Sequence, residues 1–233
     1  MNSAPGPVGG RRPTTTGIRK SGSRAGSVLP TTEWVVVVPV KGTARAKSRF
    51  GAGDNSAMAL AMAVDTVSAA MDAEGVAGVL VVTTAEASAD FDELGAFVIV
   101  QEAVGLGAAI ELGIATAAEM AEPGCGIAVL LGDLPALTPR ELGEALRSAR
   151  AYPRGMVADA AGDGTTLITA SSGITHTPAF GPGSSAAHRI AGYMPLEASS
   201  SSGIRNDVDS AEGLASLVGR LGTRTALLLA ERA

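Results

Sequence analysis

The chain has 233 residues and a mass of 23.1 kDa, 46% hydrophobic and 18% charged, which suits one generous domain with a sizeable core and excludes global disorder. No apolar run approaches the roughly 18–20 residues that cross a bilayer, and an aromatic content of 3% argues against a base-stacking nucleic-acid platform. The net charge is −5, yet residues 1–32 hold Arg11, Arg12, Arg19, Lys20 and Arg24 and no acid, so the rest is strongly acidic and repels polyanions. Neither a nucleic acid nor a membrane is therefore expected as a partner. A single cysteine, Cys125, rules out a disulfide framework and any multi-cysteine metal site. Two histidines, His176 and His188, are too few for a histidine-rich metal centre.

Residues 1–32 are rich in Gly, Pro, Ser, Thr and Arg with almost nothing to bury, and read as a disordered basic tail. The tail has no hydrophobic central region and no cleavage motif, so export is not expected and the protein is read as cytoplasmic. Residues 33–233 read as a single domain. Trp34 to Val40 is a continuous β-branched run, the mark of a strand buried on both faces. A helix over Ser56–Met71 follows, then a strand over Gly78–Thr84, a short helix near Ala87–Leu94 and a strand over Ala96–Val100. Gly105–Glu119 has a helical pattern, and Gly126–Leu131 is a fourth strand. Thr138-Pro139-Arg140-Glu141 predicts a helix start, with a hydroxyl cap, proline at the first position and an acid at the third. Strands are predicted at Gly155–Asp159 and Thr165–Ala170, and helices at Ser184–Ile190, Ser210–Val218 and Thr223–Arg232. Strands alternating with helices at this spacing predict an α/β three-layer sandwich around a mostly parallel sheet. Ligands of such sheets sit at the carboxyl ends of the strands.

Three segments fall at those ends. After the first strand, Lys41, Arg45, Lys47 and Arg49 place four cations within nine residues, a loop able to fold around a polyphosphate or to lie solvated. After the fourth strand comes Gly132-Asp133-Leu134-Pro135, where Asp133 is either a hard oxygen ligand for Mg²⁺ or a turn cap. In Asn206-Asp207-Val208-Asp209-Ser210, the two aspartates point to one side of an extended segment, although Asp209 or Ser210 also reads as the cap of the next helix. If Asp133 and one of this pair converge, they form a metal clamp. Gly181-Pro182-Gly183-Ser184 precedes a helix and reads as an anion cradle of backbone N–H groups. His188 and Arg189 could assist it, although a surface position is the commoner fate of such a histidine, and His176 is read as structural. The chain has no Walker A sequence and no Gly-x-Ser-x-Gly elbow.

Taken in order, these motifs resemble a known family. They are Val40-Lys41, Ala46-Lys47-Ser48-Arg49, Gly105-Leu106-Gly107, Gly132-Asp133-Leu134-Pro135, Phe180-Gly-Pro-Gly-Ser-Ser-Ala-Ala-His-Arg189 and Asn206-Asp-Val-Asp209. The chain resembles the phosphoenolpyruvate/2-phospho-L-lactate guanylyltransferases of coenzyme F-420 biosynthesis over about residues 34 to 219. That resemblance implies a nucleotidyltransferase-type fold, Rossmann-like in layout, and GTP as donor. It implies Mg²⁺ held by Asp133 and Asp207, with Asp209 close by, and a triphosphate loop in which Lys41, Lys47 and Arg49 act beside Asp133. It also implies an acceptor site at Thr165, Gly181 and Ser184, with phosphoenolpyruvate the favoured acceptor and 2-phospho-L-lactate the alternative. A labile product of this kind implies handover to the next enzyme of the pathway. Gly107 stands where the family usually has asparagine, Gly42 where it has a basic residue, and Gly183 where an acid is common. Two rivals remain: a related nucleotidyltransferase acting on a molybdopterin-type acceptor or a glycosyltransferase, and a non-catalytic nucleotide-binding protein.

Overall fold

A computed structural model of the chain describes residues 33–40, 55–101 and 105–232. The basic tail and the Lys41–Arg49 loop, with Lys41, Lys47 and Arg49, lie outside the described residues. Trp34–Pro39 forms β1, and Trp34, Val36, Val37 and Val38 are all buried. A β-branched run without alternation belongs at the middle of a sheet covered on both faces, and β1 lies there. It pairs in parallel with β2 (Val76–Thr83) on one side and β4 (Gly126–Leu130) on the other, and β2 pairs in parallel with β3 (Phe97–Val100). Beyond β4 the direction changes. Strand β6 (Thr165–Ala170) is antiparallel to both β4 and β5 (Arg154–Ala158), and the two-residue β7 (Met194–Pro195) runs parallel to β5. Among the described residues the sheet has seven strands in the order β3-β2-β1-β4-β6-β5-β7.

The period-two geometry of the strands divides the core between the two faces of this sheet. Trp34, Val36, Val38, Val79, Val81, Ala128 and Leu130 pack with helices α1 (Asn55–Met71), α2 (Ser88–Glu93) and α4 (Pro139–Ala149), through Val67, Ala70, Phe91, Leu142 and Leu146. Val37, Leu80, Val82, Val129, Met156 and Ile168 point the other way, onto Ile110 and Ala117 of α3 (Leu106–Met120) and onto Tyr193. Each fully covered Val, Leu or Ile stabilises the fold by about 1.5–3 kcal/mol. Helices on both faces make the three-layer α/β sandwich that the strand–helix alternation predicts. The chain continues through α5 (Ser184–Ile190), a single 3₁₀ turn at Gly203–Arg205, α6 (Ala211–Ser216) and α7 (Thr223–Ala230). Asp65, the lone acid of α1, caps α7: its carboxylate accepts from the N–H groups of Arg224 at 2.9 Å and Thr225 at 2.8 Å. No helix among the described residues is long and apolar enough to cross a membrane.

The predicted capping box is present at α4. Thr138 Oγ1 accepts from the Glu141 N–H at 3.3 Å, and Glu141 Oε2 accepts from the Thr138 N–H at 3.0 Å. Glu141 also reaches out of its helix, where Oε1 accepts from the Gly203 N–H at 2.9 Å and holds the 3₁₀ turn. Burial alone would raise the Glu141 pKa, but the N–H groups of Gly203 and Thr138 and the hydroxyls of Ser202 and Thr138 bring it below the ordinary value. Its stabilising effect is therefore full above the unfolded-state pKa and fades as pH falls through the lower, folded-state pKa. Glu141→Ala is expected to cost about 1–2 kcal/mol at neutral pH. In urea titrations its gap from the parent chain should narrow under acid conditions, and an unchanged gap would contradict this role.

Candidate active site

The loop after β4 is held by its backbone. Thr66, fully buried on α1, accepts from the Leu134 N–H at 3.1 Å through Oγ1 and donates to the Met62 carbonyl at 2.9 Å. Leu134, Ala136 and Leu137 are buried, whereas Asp133 is half-buried beside a small recess formed with Pro39, Val40, Leu106 and Gly132. The Asp133 carbonyl accepts from the Val208 N–H at 3.0 Å, so the Asp207-Val208-Asp209 segment runs against the Asp133 loop. Gly203 makes this approach possible, because any Cβ there would run into the Ala136 carbonyl.

Of the two segments' carboxylates, Asp207 is half-buried and Asp209 exposed. The helix cap is Ser210, whose Oγ accepts from the Gly213 N–H at 3.1 Å, so Asp209 does not have that duty. Burial pushes the Asp207 pKa up, and the negative charges of Asp159 and Asp209 push the same way. Arg205 lies close in sequence but is directed elsewhere, donating to the carbonyls of Ala158 and Asp159 at the end of β5. The carboxylates of Asp159 and Asp209 crowd that of Asp207, and oxygen donors of this kind suit a hard divalent cation. Among the described residues no group of three or more His, Cys, Asp or Glu side chains is arranged to hold a metal. A fit to Mg²⁺ therefore rests on one or two carboxylates, with phosphate oxygens and water completing the set.

The antiparallel run of β6 has a consequence for the site. It brings the start of that strand, Thr165, to the carboxyl edge, opposite Ala158 of β5 and two residues from Leu167, the partner of Leu130. Ser184 opens α5, and the preceding glycines take backbone conformations with φ of 134° at Gly181 and 71° at Gly183 that side chains disfavour. The expected cradle of backbone N–H groups is not formed here. Gly183 N–H donates to the Asp163 carboxylate at 3.0 Å, Ser185 N–H to the Asp163 carbonyl at 2.9 Å and Ser184 N–H to the Gly181 carbonyl at 3.1 Å. Asp163 supplies the negative charge that this helix start attracts. Asp159 organises the same loop, its carboxylate accepting from the N–H groups of Gly162, Asp163 and Gly164. Thr165 and Ser184 are both buried, and Gly181 adjoins Ser184 through the bond to its carbonyl.

His188 is wholly buried and not on the surface as its helix position suggested. Its Nε2 accepts from the Ala179 N–H at 2.9 Å, and its Nδ1 lies 3.0 Å from Thr165 Oγ1. His176 has the structural setting expected of it: Nε2 lies 3.0 Å from the Ile127 carbonyl and Nδ1 3.1 Å from the Tyr193 hydroxyl. Burial lowers its pKa to about 4, which keeps the ring neutral.

No protein-family model matches the chain. Individual relatives do. A protein of Streptomyces scabiei named phosphoenolpyruvate guanylyltransferase is 43% identical over 205 residues, covering 83% of this chain and 94% of that protein. One of the same name from Thermomonospora curvata is 44% identical over 203 residues, with coverages of 84% and 89%. A third, from Salinispora arenicola, is 44% identical over 205 residues, with coverages of 84% and 92%. The chain belongs to the phosphoenolpyruvate guanylyltransferase family. Solved structures agree on the fold of this family member. A nucleotidyl transferase from Methanothermobacter superposes with a TM-score of 0.53 at 18% identity, over 79% of this chain and 95% of that one. A 4-diphosphocytidyl-2C-methyl-D-erythritol synthase gives 0.58 at 14% identity, over 84% and 98%. The α/β sandwich is thus a nucleotidyltransferase fold, and membership of the family makes the chain a nucleotidyltransferase.

Proposed function

We propose that the protein transfers the GMP unit of GTP to phosphoenolpyruvate and releases pyrophosphate. The observation that carries this reading is the 43% identity, across 94% of its length, with a relative of that name. A phosphate oxygen of the acceptor attacks the α-phosphorus of GTP. A new P–O–P bond forms while the bond to the pyrophosphate oxygen breaks, and that electron pair leaves with pyrophosphate. The attacking phosphate is already ionised, so positioning and charge stabilisation suffice and no general base is needed.

Asp133 and Asp207, with Asp209 nearby, would hold Mg²⁺. When bound, the ion supplies countercharge to the triphosphate and to the departing pyrophosphate. The anchored backbone of the Asp133 loop keeps that carboxylate in place without rearrangement during the reaction. Thr165 and Ser184 offer hydroxyl donors to the acceptor, with Gly181 leaving room for it. Lys41, Lys47 and Arg49 are assigned to the triphosphate. The product is a diphosphate diester; if it is labile, direct handover to the enzyme that consumes it is favoured, in line with a place in coenzyme F-420 assembly.

Pyrophosphate release tests the reading. The full chain is incubated with GTP and Mg²⁺ and, in separate arms, phosphoenolpyruvate, each enantiomer of phospholactate, or molybdopterin. Pyrophosphate formed with phosphoenolpyruvate, at a higher kcat/KM than with any other acceptor, is the expected result. A preference for phospholactate or molybdopterin would replace the acceptor, and no release in any arm would overturn the assignment.

A further inference from the structure

His188 joins the two arms of the acceptor site through one ring. Its Nε2 accepts the Ala179 N–H at 2.9 Å, and Ala179 stands two residues before Gly181. Its Nδ1 meets Thr165 Oγ1 at 3.0 Å, across 23 residues of sequence. An amide N–H can only donate, so Nε2 carries no proton, and a neutral imidazole must then carry its proton on Nδ1. Nδ1–H therefore donates to the Thr165 oxygen. A hydroxyl whose oxygen is occupied as an acceptor keeps its own proton for another partner. The ring is wholly buried, and Phe180 and Tyr193 pack edge-on against it, with centroids 5.1 and 5.2 Å away. Burial holds its pKa below the ordinary value, against a smaller opposing effect from the Ser184 backbone, so the neutral form persists.

We propose that His188 is a positioning residue, whose Nδ1–H fixes the Thr165 hydroxyl as a donor to the acceptor's anionic oxygen and whose Nε2 ties the Gly181 loop to the same strand. The proposal rests on the acceptor assignment made above for Thr165. His188 touches no reacting atom and acts through Thr165 alone. In a site where the ligand brings only acceptor oxygens, a threonine free to rotate its proton toward a histidine acceptor would present a lone pair to an anion. The Nδ1–H tautomer removes that arrangement.

Two measurements on the full chain test this. In the ¹⁵N spectrum of the imidazoles without substrate, His188 should show a protonated Nδ1 and a bare Nε2; the opposite tautomer, or an imidazolium, overturns the proposal whichever acceptor the enzyme uses. In steady-state kinetics, His188→Phe should raise the KM for phosphoenolpyruvate about tenfold, the loss of one hydrogen bond to a charged ligand, with the KM for GTP unmoved. His188→Asn, which restores an N–H near the Nδ1 position, should recover most of that loss. In a Thr165→Val background, His188→Phe should add less than about twofold, since coupled residues are not additive. Full additivity, or an equal rise in both KM values, would show a merely structural residue and overturn the proposal. Should His188→Phe fail to fold in a thermal melt, the asparagine variant and the tautomer decide. A parent chain inert toward phosphoenolpyruvate but carrying the stated tautomer would remove the acceptor assignment and not the His188 geometry.

Discussion

Asp133→Asn is expected to lower turnover by about 10²–10³-fold, the usual cost of removing one charge-stabilising group from a preorganised site. The argument starts from what holds the loop. Its anchors include the Leu134 N–H on Thr66, the Val208 N–H on the Asp133 carbonyl and the Gly222 N–H on the Pro135 carbonyl, none of which uses the carboxylate. Asparagine has the same shape, so the backbone and the buried Leu134, Ala136 and Leu137 should stay in place and the melting temperature should change little. The lost negative charge should act on metal affinity, and activity should rise only partly as Mg²⁺ is increased. Near-parental turnover at saturating Mg²⁺ would remove Asp133 from the chemistry. A large fall in melting temperature would instead make it a structural residue of the loop.

The fold was legible where the chemistry is local. The Val-rich β1 run, the apolar Ala, Met and Leu pattern of α1 and the Thr138–Glu141 capping box each depend on residues a few positions apart, and each stands where expected. The direction of β6 was not legible, because Thr165-Thr-Leu-Ile-Thr-Ala170 is buried at every position and reads the same in a parallel or an antiparallel strand. That direction matters most for the site, since it alone brings Thr165 to the carboxyl edge. The two-residue β7 and the Gly203–Arg205 turn are too short to leave a periodic signal. Asp133 and the Asp207–Asp209 segment were visible as carboxylates at element ends, but the bond that brings them together, Val208 N–H to the Asp133 carbonyl, spans 75 positions of backbone and has no sequence signature. The burial of His188 lacks a sequence signature for the same reason. Its partners are a strand residue and a loop amide, and nothing in Ser184–Ile190 announces either. The N–H cradle failed on a nearer signal: Asp163, in a turn-rich Gly-Asp-Gly stretch, competes for the helix start as an internal anion.

Thr165→Val and Ser184→Ala are each expected to raise the KM for phosphoenolpyruvate by roughly ten- to a hundredfold while leaving the KM for GTP nearly unchanged, since each removes a hydrogen bond worth about 1.5–3 kcal/mol to a charged ligand. With the N–H groups of Gly183, Ser184 and Ser185 bonded within the protein, the hydroxyls must carry more of the recognition than a backbone cradle would have left to them. Valine keeps the volume of Thr165 in a site only 3% exposed, so packing is preserved. It also removes the Thr165 oxygen as an acceptor for the His188 ring, leaving it the Ser184 backbone, which should cost about 0.5–1.5 kcal/mol in stability. Ser184→Ala breaks no such bond and should melt close to the parent. Thr165→Ser provides the control: it retains the oxygen and its proton, so both acceptor affinity and stability should return most of the way. If GTP affinity fell instead while phosphoenolpyruvate affinity held, the hydroxyls would belong to the nucleotide. The acceptor would then have to lie toward the segment bearing Lys41, Lys47 and Arg49.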